Sequence, residues 1–167
     1  MRPSRDETMM ELAQVISRRS TCLRRAVGAV GVDTRGRVLG VAHNGVAMGQ
    51  RHCDALHPCT GAYLPSGSSL DLCEAIHAEQ NLLTFVHDAM SLHTVYVTVS
   101  PCVHCVKMLL NTSTQRVVFL EEYSHGKRSR ELWTSDGSRT WERLRPTAEP
   151  LVPARLDLVS APGGGSS

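Results

Sequence analysis

The sequence predicts an α/β domain in which helices cover the faces of a mixed β-sheet, and three observations carry that expectation. Helical and strand-like periodicities alternate along most of the chain. A hairpin signal joins the first two strand-like runs, whereas helical runs separate the later ones, an order that supports a mixed sheet. The chain has 167 residues, enough for one domain with a substantial core, and shows no internal repeat. Residues 1–150 are expected to form that domain. Residues 151–167 are expected to add a last strand or none, and a flexible Gly/Ser tail.

Ser4-Arg5-Asp6-Glu7 has the capping-box pattern, and Met9, Leu12, Ala13 and Ile16 recur at helical spacing, so the first helix ends near Ser17 to Ser20. Val27 to Val32 and Val38 to Ala42 read as strands joined by the turn Asp33-Thr34-Arg35-Gly36. His52 to Asp71 reads as loop, because Pro58, Gly61, Pro65, Gly67 and several serines leave little apolar material for a core. A helix is expected from near Leu72 through Ala75, Ile76, Leu82, Leu83 and Val86. His93 to Val99 is a β-branched strand that Pro101 stops; Val106 to Leu110 reads as a helix and Arg116 to Leu120 as another strand. Arg128 to Arg145, with Trp133 and Trp141 among polar residues, is expected as a helix that packs on the core or on another subunit. Leu151 to Val159 is the candidate last strand, and Ala161 to Ser167 has the composition of a flexible tail.

Composition narrows the function classes. A formal net charge of +2 gives no basic stripe of the kind a duplex-binding protein needs, and no basic and aromatic channel for a single strand is evident. No stretch is long and apolar enough to span a bilayer, and Met1 to Ser20 is charged and amphipathic, unlike a secretory signal; a cytoplasmic location is expected. With aromatic content at 4%, the core must rest on Val, Leu, Ala and Met.

His77-Ala78-Glu79 followed by Pro101-Cys102-Val103-His104-Cys105 carries the chemistry. One neutral imidazole and two thiolates suit tetrahedral zinc and leave its fourth position open for water. A structural site would use all four positions for ligands and would have no use for Glu79 beside an open one. On a helix His77 and Glu79 would point about 200° apart, so both can approach one metal only if the site lies at that helix's end. Cys102 and Cys105 would open the following helix, where unpaired N–H groups and the helix dipole favour thiolate over thiol. By itself, either half is weaker: C-x-x-C also occurs in zinc knuckles and redox pairs, and a lone H-x-E is close to noise.

From Ser20 to Tyr123 the chain resembles the cytidine deaminase superfamily and, within it, the deoxycytidylate (dCMP) deaminases. The resemblance is carried by Ser20-Thr21-Cys22-Leu23-Arg24 leading into Val27-Gly28-Ala29-Val30, by Asn44-Gly45 with Gly49, by His52-Cys53, by Cys73 with His77-Ala78-Glu79-Gln80-Asn81, and by Ser100-Pro101-Cys102 through Cys105. It implies a three-layer α/β/α fold around a mixed sheet of about five strands. It implies a zinc enzyme in which His77, Cys102 and Cys105 hold the metal, a zinc-bound hydroxide attacks C4 of the pyrimidine, and Glu79 shuttles the protons, so that dCMP gives dUMP and ammonia. By the same resemblance, the Ala78 N–H binds the base carbonyl, the Ser100 carbonyl receives the exocyclic amine, and Asn44 bonds a sugar hydroxyl. Arg24 matches the family's basic position, suited to phosphate, with Arg25, Lys127 and Arg128 as alternatives; Tyr123 falls where the family carries an aromatic near the nucleotide. The partners implied are a small pyrimidine nucleotide and further copies of the chain, as a hexamer or dimer. Ala42-His43-Asn44-Gly45-Val46-Ala47 departs from the family's Gly-Tyr-Asn-Gly and following proline, where allosteric relatives respond to dCTP and dTTP, which puts that regulation in question. The end of the helix after Cys105, Asn111-Thr112-Ser113-Thr114, also departs from the usual glycine turn.

Of six cysteines, Cys22, Cys53, Cys59 and Cys73 remain outside the catalytic pattern and make a complete tetrahedral set for a second, structural zinc, with His52 or His57 as substitute ligands. Such an ion would pin the loop-rich stretch, and a second zinc is known in the family; disulfides are the competing account. Other readings remain open: a deaminase of CMP, a 5-modified dCMP, dCTP or a nucleoside; a nucleic-acid editing deaminase; and a non-catalytic zinc module.

Overall fold

A computed structural model of the chain describes residues 2–65 and 68–145. The candidate strand at 151–159 and the tail at 161–167 lie outside the described residues. Among those residues the elements run α1 (Arg5–Ser17), β1 (Gly28–Val32), β2 (Val38–His43), α2 (Ala78–Phe85), β3 (Thr94–Val99), α3 (Val103–Leu110), β4 (Arg116–Glu121), α4 (Gly126–Trp133) and β5 (Thr140–Arg143). The strands form one mixed sheet in the order β2-β1-β3-β4-β5. β1 is antiparallel to both β2 and β3, whereas β3, β4 and β5 run parallel.

Side-chain alternation sorts the central strands into two cores. Ala29, Val95, Val97, Val117 and Phe119 face one way and pack with Leu82 of α2, Val106 and Leu109 of α3, and Trp133 of α4. Val30, Val32, Tyr96 and Val118 face the other way, against Met10 and Ala13 of α1. β1 and β3 are buried along their whole length because helices cover both faces, which is why they read as continuous apolar runs. The result is the three-layer α/β/α arrangement around a five-stranded mixed sheet. Ser4 caps α1 as its sequence predicts, its Oγ accepting from Glu7 N at 3.2 Å while Glu7 Oε2 accepts from Ser4 N at 2.7 Å. Gly28 lets α1 approach the sheet: a Cβ there would lie 2.0 Å from the Ala13 carbonyl oxygen.

Two local expectations are corrected. The helix expected from Leu72 begins only at Ala78, with a short 3-10 turn at Leu70–Leu72 before it. Between them Ile76 pairs with Gly45 (Ile76 N to Gly45 O 2.8 Å, Gly45 N to Ile76 O 3.1 Å), which holds the chain extended up to His77. α3 starts at Val103 with Cys102 as its N-cap, in keeping with the expectation that Cys102 and Cys105 open this helix. The Arg128 to Arg145 segment is not one helix. Asp136-Gly137 turns the chain, with Gly137 at φ 72°, and Thr140–Arg143 returns as the fifth strand. Burial of Trp133 and the tilted packing of Trp141 on Phe119, with centroids 5.3 Å apart, favour this over a longer helix.

Arg116 ties the layers together. Its Nη1 and Nη2 reach Asp6 Oδ1 and Oδ2 at 2.9 and 2.6 Å, its Nε and Nη2 reach Glu142 Oε1 and Oε2 at 2.8 and 2.6 Å, and Tyr96 Oη donates to Asp6 Oδ1 at 2.6 Å. The Arg116 guanidinium holds both the Asp6 and Glu142 carboxyls below their ordinary values. Because those native values are lowered, the network stabilises fully above the unfolded carboxylate range of about pH 4 and is lost as pH falls through the native values. Arg116→Met is therefore expected to cost about 2 kcal/mol at neutral pH and to make the remaining stability less dependent on acid. Urea unfolding at neutral and acid pH measures this, and the same loss at both would contradict it.

Candidate metal centre and adjoining pocket

His77 ends the extended segment as the N-cap residue of α2, at φ −69° and ψ 153°. Gln80, one turn in, accepts from His77 N at 2.9 Å through Oε1, and Asn81 Nδ2 donates to His43 O at 2.8 Å, so α2's first turn is fixed both to its cap and to the end of β2. Pro101 follows the end of β3, and the chain enters α3 at once with Cys102 as N-cap and Cys105 in the first turn. Both cysteines are buried.

These two helix beginnings bring three donors together. His77 Nδ1 lies 3.5 Å from Cys102 Sγ and 3.4 Å from Cys105 Sγ, and the three ligand atoms fall within 4.8 Å of one another. Zinc bonded to sulfur and nitrogen at tetrahedral angles requires N to S edges of about 3.5 Å, so the donor set fits that ion in both chemistry and size. The protein groups alone favour one thiolate and one imidazolium: Cys105's hydrogen bond, aided by His77, lowers Cys102 to about 4, that same thiolate and then burial push Cys105 up, and Cys102 raises His77 to about 9. Zinc needs two thiolates and a neutral imidazole, so loading this site releases protons.

Glu79 is buried, with its carboxyl against the Cys105 thiol. Burial raises it to about 7, which suits a group that must both take and give a proton near neutrality.

The site opens into one pocket whose lining includes Ala78, Ser100, Asn44, Arg24 and Tyr123, each singled out from the sequence. Two buried polar atoms in it have no hydrogen-bond partner: Arg24 Nη1 and Tyr123 Oη. Arg24 Nη2 donates to the Pro65 carbonyl and, at 2.8 Å, to the Ser68 carbonyl, which fastens the long loop over this side chain. Arg25 pairs instead with Glu121. Lys127 and Arg128 stand in the first turn of α4. Asn44 is mostly committed within the protein. Its Oδ1 accepts from Ser20 Oγ at 2.6 Å and Val27 N at 2.8 Å, and its Nδ2 donates to Arg25 O at 2.8 Å, leaving one amide N–H for the pocket.

The other four cysteines stand as two pairs. The Cys22 and Cys73 thiols are in contact and both line the pocket. Cys59 N donates to Cys53 Sγ at 3.2 Å, with those two thiols also in contact. Among the described residues His77, Cys102 and Cys105 are the one group of three donors gathered as closely as a metal requires. His57 is engaged by Asp54 and Arg51. The sequence places Gln80 in the segment that carries the resemblance without giving it a task, although a capping residue three positions after His77 was a visible signal.

Residues 3–121 match the family model of the cytidine and deoxycytidylate deaminase zinc-binding region. The chain is 33% identical over 126 residues to the deoxycytidylate deaminase of Mycobacterium phage D29, an alignment covering 72% of this chain and 98% of that protein. It is 30% identical over 148 residues to the deoxycytidylate deaminase of Schizosaccharomyces pombe, covering 87% of this chain and 46% of the yeast protein, so it spans about half of that relative. Among solved structures, the dCMP deaminase of cyanophage S-TIM5 superposes with a TM-score of 0.63 at 25% identity, covering 86% of this chain and 100% of that one.

Gln80→Ala removes the acceptor that holds the His77 backbone and is expected to weaken zinc about tenfold, as loss of an outer-shell partner does. A chelator-competition titration measures this, and unchanged affinity would show that His77 is held without it.

Proposed function

The chain belongs to the cytidine and deoxycytidylate deaminase family, and from that membership we propose that it hydrolyses dCMP to dUMP and ammonia. The observation that carries the reading is a buried carboxyl, Glu79, beside three donors that leave a tetrahedral ion one free position. The naming of the phage D29 and fission yeast relatives supports the substrate. In this reading His77, Cys102 and Cys105 hold one zinc, which when bound supplies a Lewis acid that brings the pKa of a coordinated water to about 7. Glu79 takes one proton from the attacking water and passes it to ring N3. It then takes the remaining proton from the hydroxyl now on C4 and delivers it to the amine, so that the C4–N bond breaks, C4=O forms and ammonia leaves. The Ala78 N–H meets the base carbonyl, the Ser100 carbonyl meets the amine, and the remaining Asn44 N–H meets a sugar hydroxyl. Arg24 Nη1 and Tyr123 Oη, buried and unpaired, are offered to the phosphate.

A second zinc among Cys22, Cys53, Cys59 and Cys73 is part of the same proposal. Its support is that the four thiols already stand as two touching pairs, and its requirement is that the pairs converge. The protein is also proposed to act in the cytoplasm, where its six free cysteines stay reduced, and as a homo-oligomer, hexamer or dimer, that covers exposed Phe85, Met90 and Met108. No helix among the described residues is long and apolar enough to cross a membrane. Nucleic acid is not among the proposed partners, since a formal net charge of +2 is far from the strongly basic balance of a duplex-binding domain.

Purified protein incubated with dCMP, CMP, dCTP, deoxycytidine and 5-methyl-dCMP should release ammonia fastest from dCMP. Glu79→Gln should retain zinc and lose about a thousandfold or more in rate. Inertness toward every substrate with zinc bound, or an active Glu79→Gln variant, would overturn the reading. Metal analysis should give two zinc ions per chain and one in Cys73→Ser; one ion in the wild type removes the second site.

A further inference from the structure

Ser100 sits where the parallel pairing of β3 and β4 runs out. Val99 is in register with Glu121, and one residue further the ladder continues with Ser100 N donating to Glu121 O at 2.8 Å. In a parallel ladder the next rung is fixed by that geometry: the N–H two residues beyond the acceptor, here that of Tyr123, donates back to the carbonyl of Ser100. Tyr123 N does not do so. It donates to Ser100 Oγ, at 2.8 Å. The hydroxyl thus stands in for its own residue's carbonyl, and none of the hydrogen bonds found among the described residues ends on the Ser100 carbonyl. Ser100 is 3% exposed and lines the pocket with His77, Glu79 and Cys102. A buried carbonyl normally finds a donor, so one left free beside a reaction site is an acceptor held in reserve.

We infer that Ser100 is a positioning residue whose hydroxyl takes the Tyr123 N–H and so keeps the Ser100 backbone carbonyl free to accept a hydrogen bond from the exocyclic amine of the substrate. This rests on the deaminase reading above and deepens it by assigning a task to the side chain. Without the hydroxyl, Tyr123 N–H has its ordinary ladder partner available. The carbonyl then turns toward β4, and the amine loses an acceptor as its carbon becomes tetrahedral. The same bond also sets the backbone of Tyr123, so a selective test must separate the amine from the phosphate end.

The test uses two substrates, dCMP and its analogue with methoxy in place of the amine. In the analogue water adds at C4, the C4–O bond to the methoxy group breaks, and methanol leaves with a proton; no N–H is offered to a carbonyl at any step. Ser100→Ala should lower kcat/KM for dCMP about tenfold, the size of one lost hydrogen bond, and change that for the methoxy analogue less than about twofold. Ser100→Thr, which keeps the hydroxyl, should restore the dCMP rate. If Ser100→Ala does not fold, Ser100→Cys, whose thiol is a weak acceptor of similar size, gives the same comparison. Equal losses on both substrates, or no loss on dCMP, overturns the inference. Wild-type turnover of dCMP reports on the proposed function and the ratio between substrates on Ser100, so the two fail separately.

Discussion

Three metal donors carried by two different helices must meet within 4.8 Å, and the rest of the fold keeps the beginnings of those helices side by side. A helix start is a natural place for thiolates, since its free N–H groups and dipole favour negative charge. It is also a place where one residue's backbone changes direction, from extended to helical, at the ligand itself. His77 and Cys102 are both such N-cap residues. What holds them is not local. The bridge between Gly45 and Ile76 anchors the approach to α2, and the buried strand β3 delivers Pro101 and Cys102 at a fixed depth. Packing of Leu82, Val106 and Leu109 on one face of the sheet then sets the separation of the two helices.

Beside that centre the chain leaves several polar groups without partners, contrary to the general rule for buried atoms. Arg24 Nη1 and Tyr123 Oη are buried and unpaired. The Ser100 carbonyl stands clear of the ladder. Each is costly in an otherwise dry setting, and each matches a charge or hydrogen-bonding group on a nucleotide. The neighbouring atoms of the same side chains are firmly held: Arg24 Nη2 by two carbonyls, Asn44 by three bonds. Rigid support with one free valence is what preorganised binding requires.

Much of this was legible in the sequence because it depends on short-range patterns. The Ser4 capping box, the β-branched run before Pro101, and the H-x-E and C-x-x-C pair each carry their structural meaning within a few residues. The three-layer fold follows from the alternation of those runs. What escaped were features decided by partners distant in sequence. The helix assigned from Leu72 fails because Ile76 is claimed by Gly45, and nothing near Ile76 signals that. The strand Thr140–Arg143 escaped because Trp133, which ends α4, and Trp141, within the strand, look alike in sequence, although Trp133 fills the core and Trp141 packs at a tilt on Phe119. The turn at Asp136-Gly137 was the available clue. The exchange of acceptors at Ser100 is invisible without the register of β3 and β4, because any serine before a proline reads the same way.

The central claim is a metal centre with three protein donors and one position open to water. Crystals examined by anomalous diffraction at the zinc edge test it most directly. The account predicts an ion bonded to two sulfurs at about 2.3 Å, to His77 Nδ1 at about 2.0 Å and to a single solvent oxygen, with the Glu79 carboxylate within hydrogen-bond reach of that oxygen. An ion enclosed by a fourth side chain, or a Glu79 carboxylate turned away from it, would contradict the account.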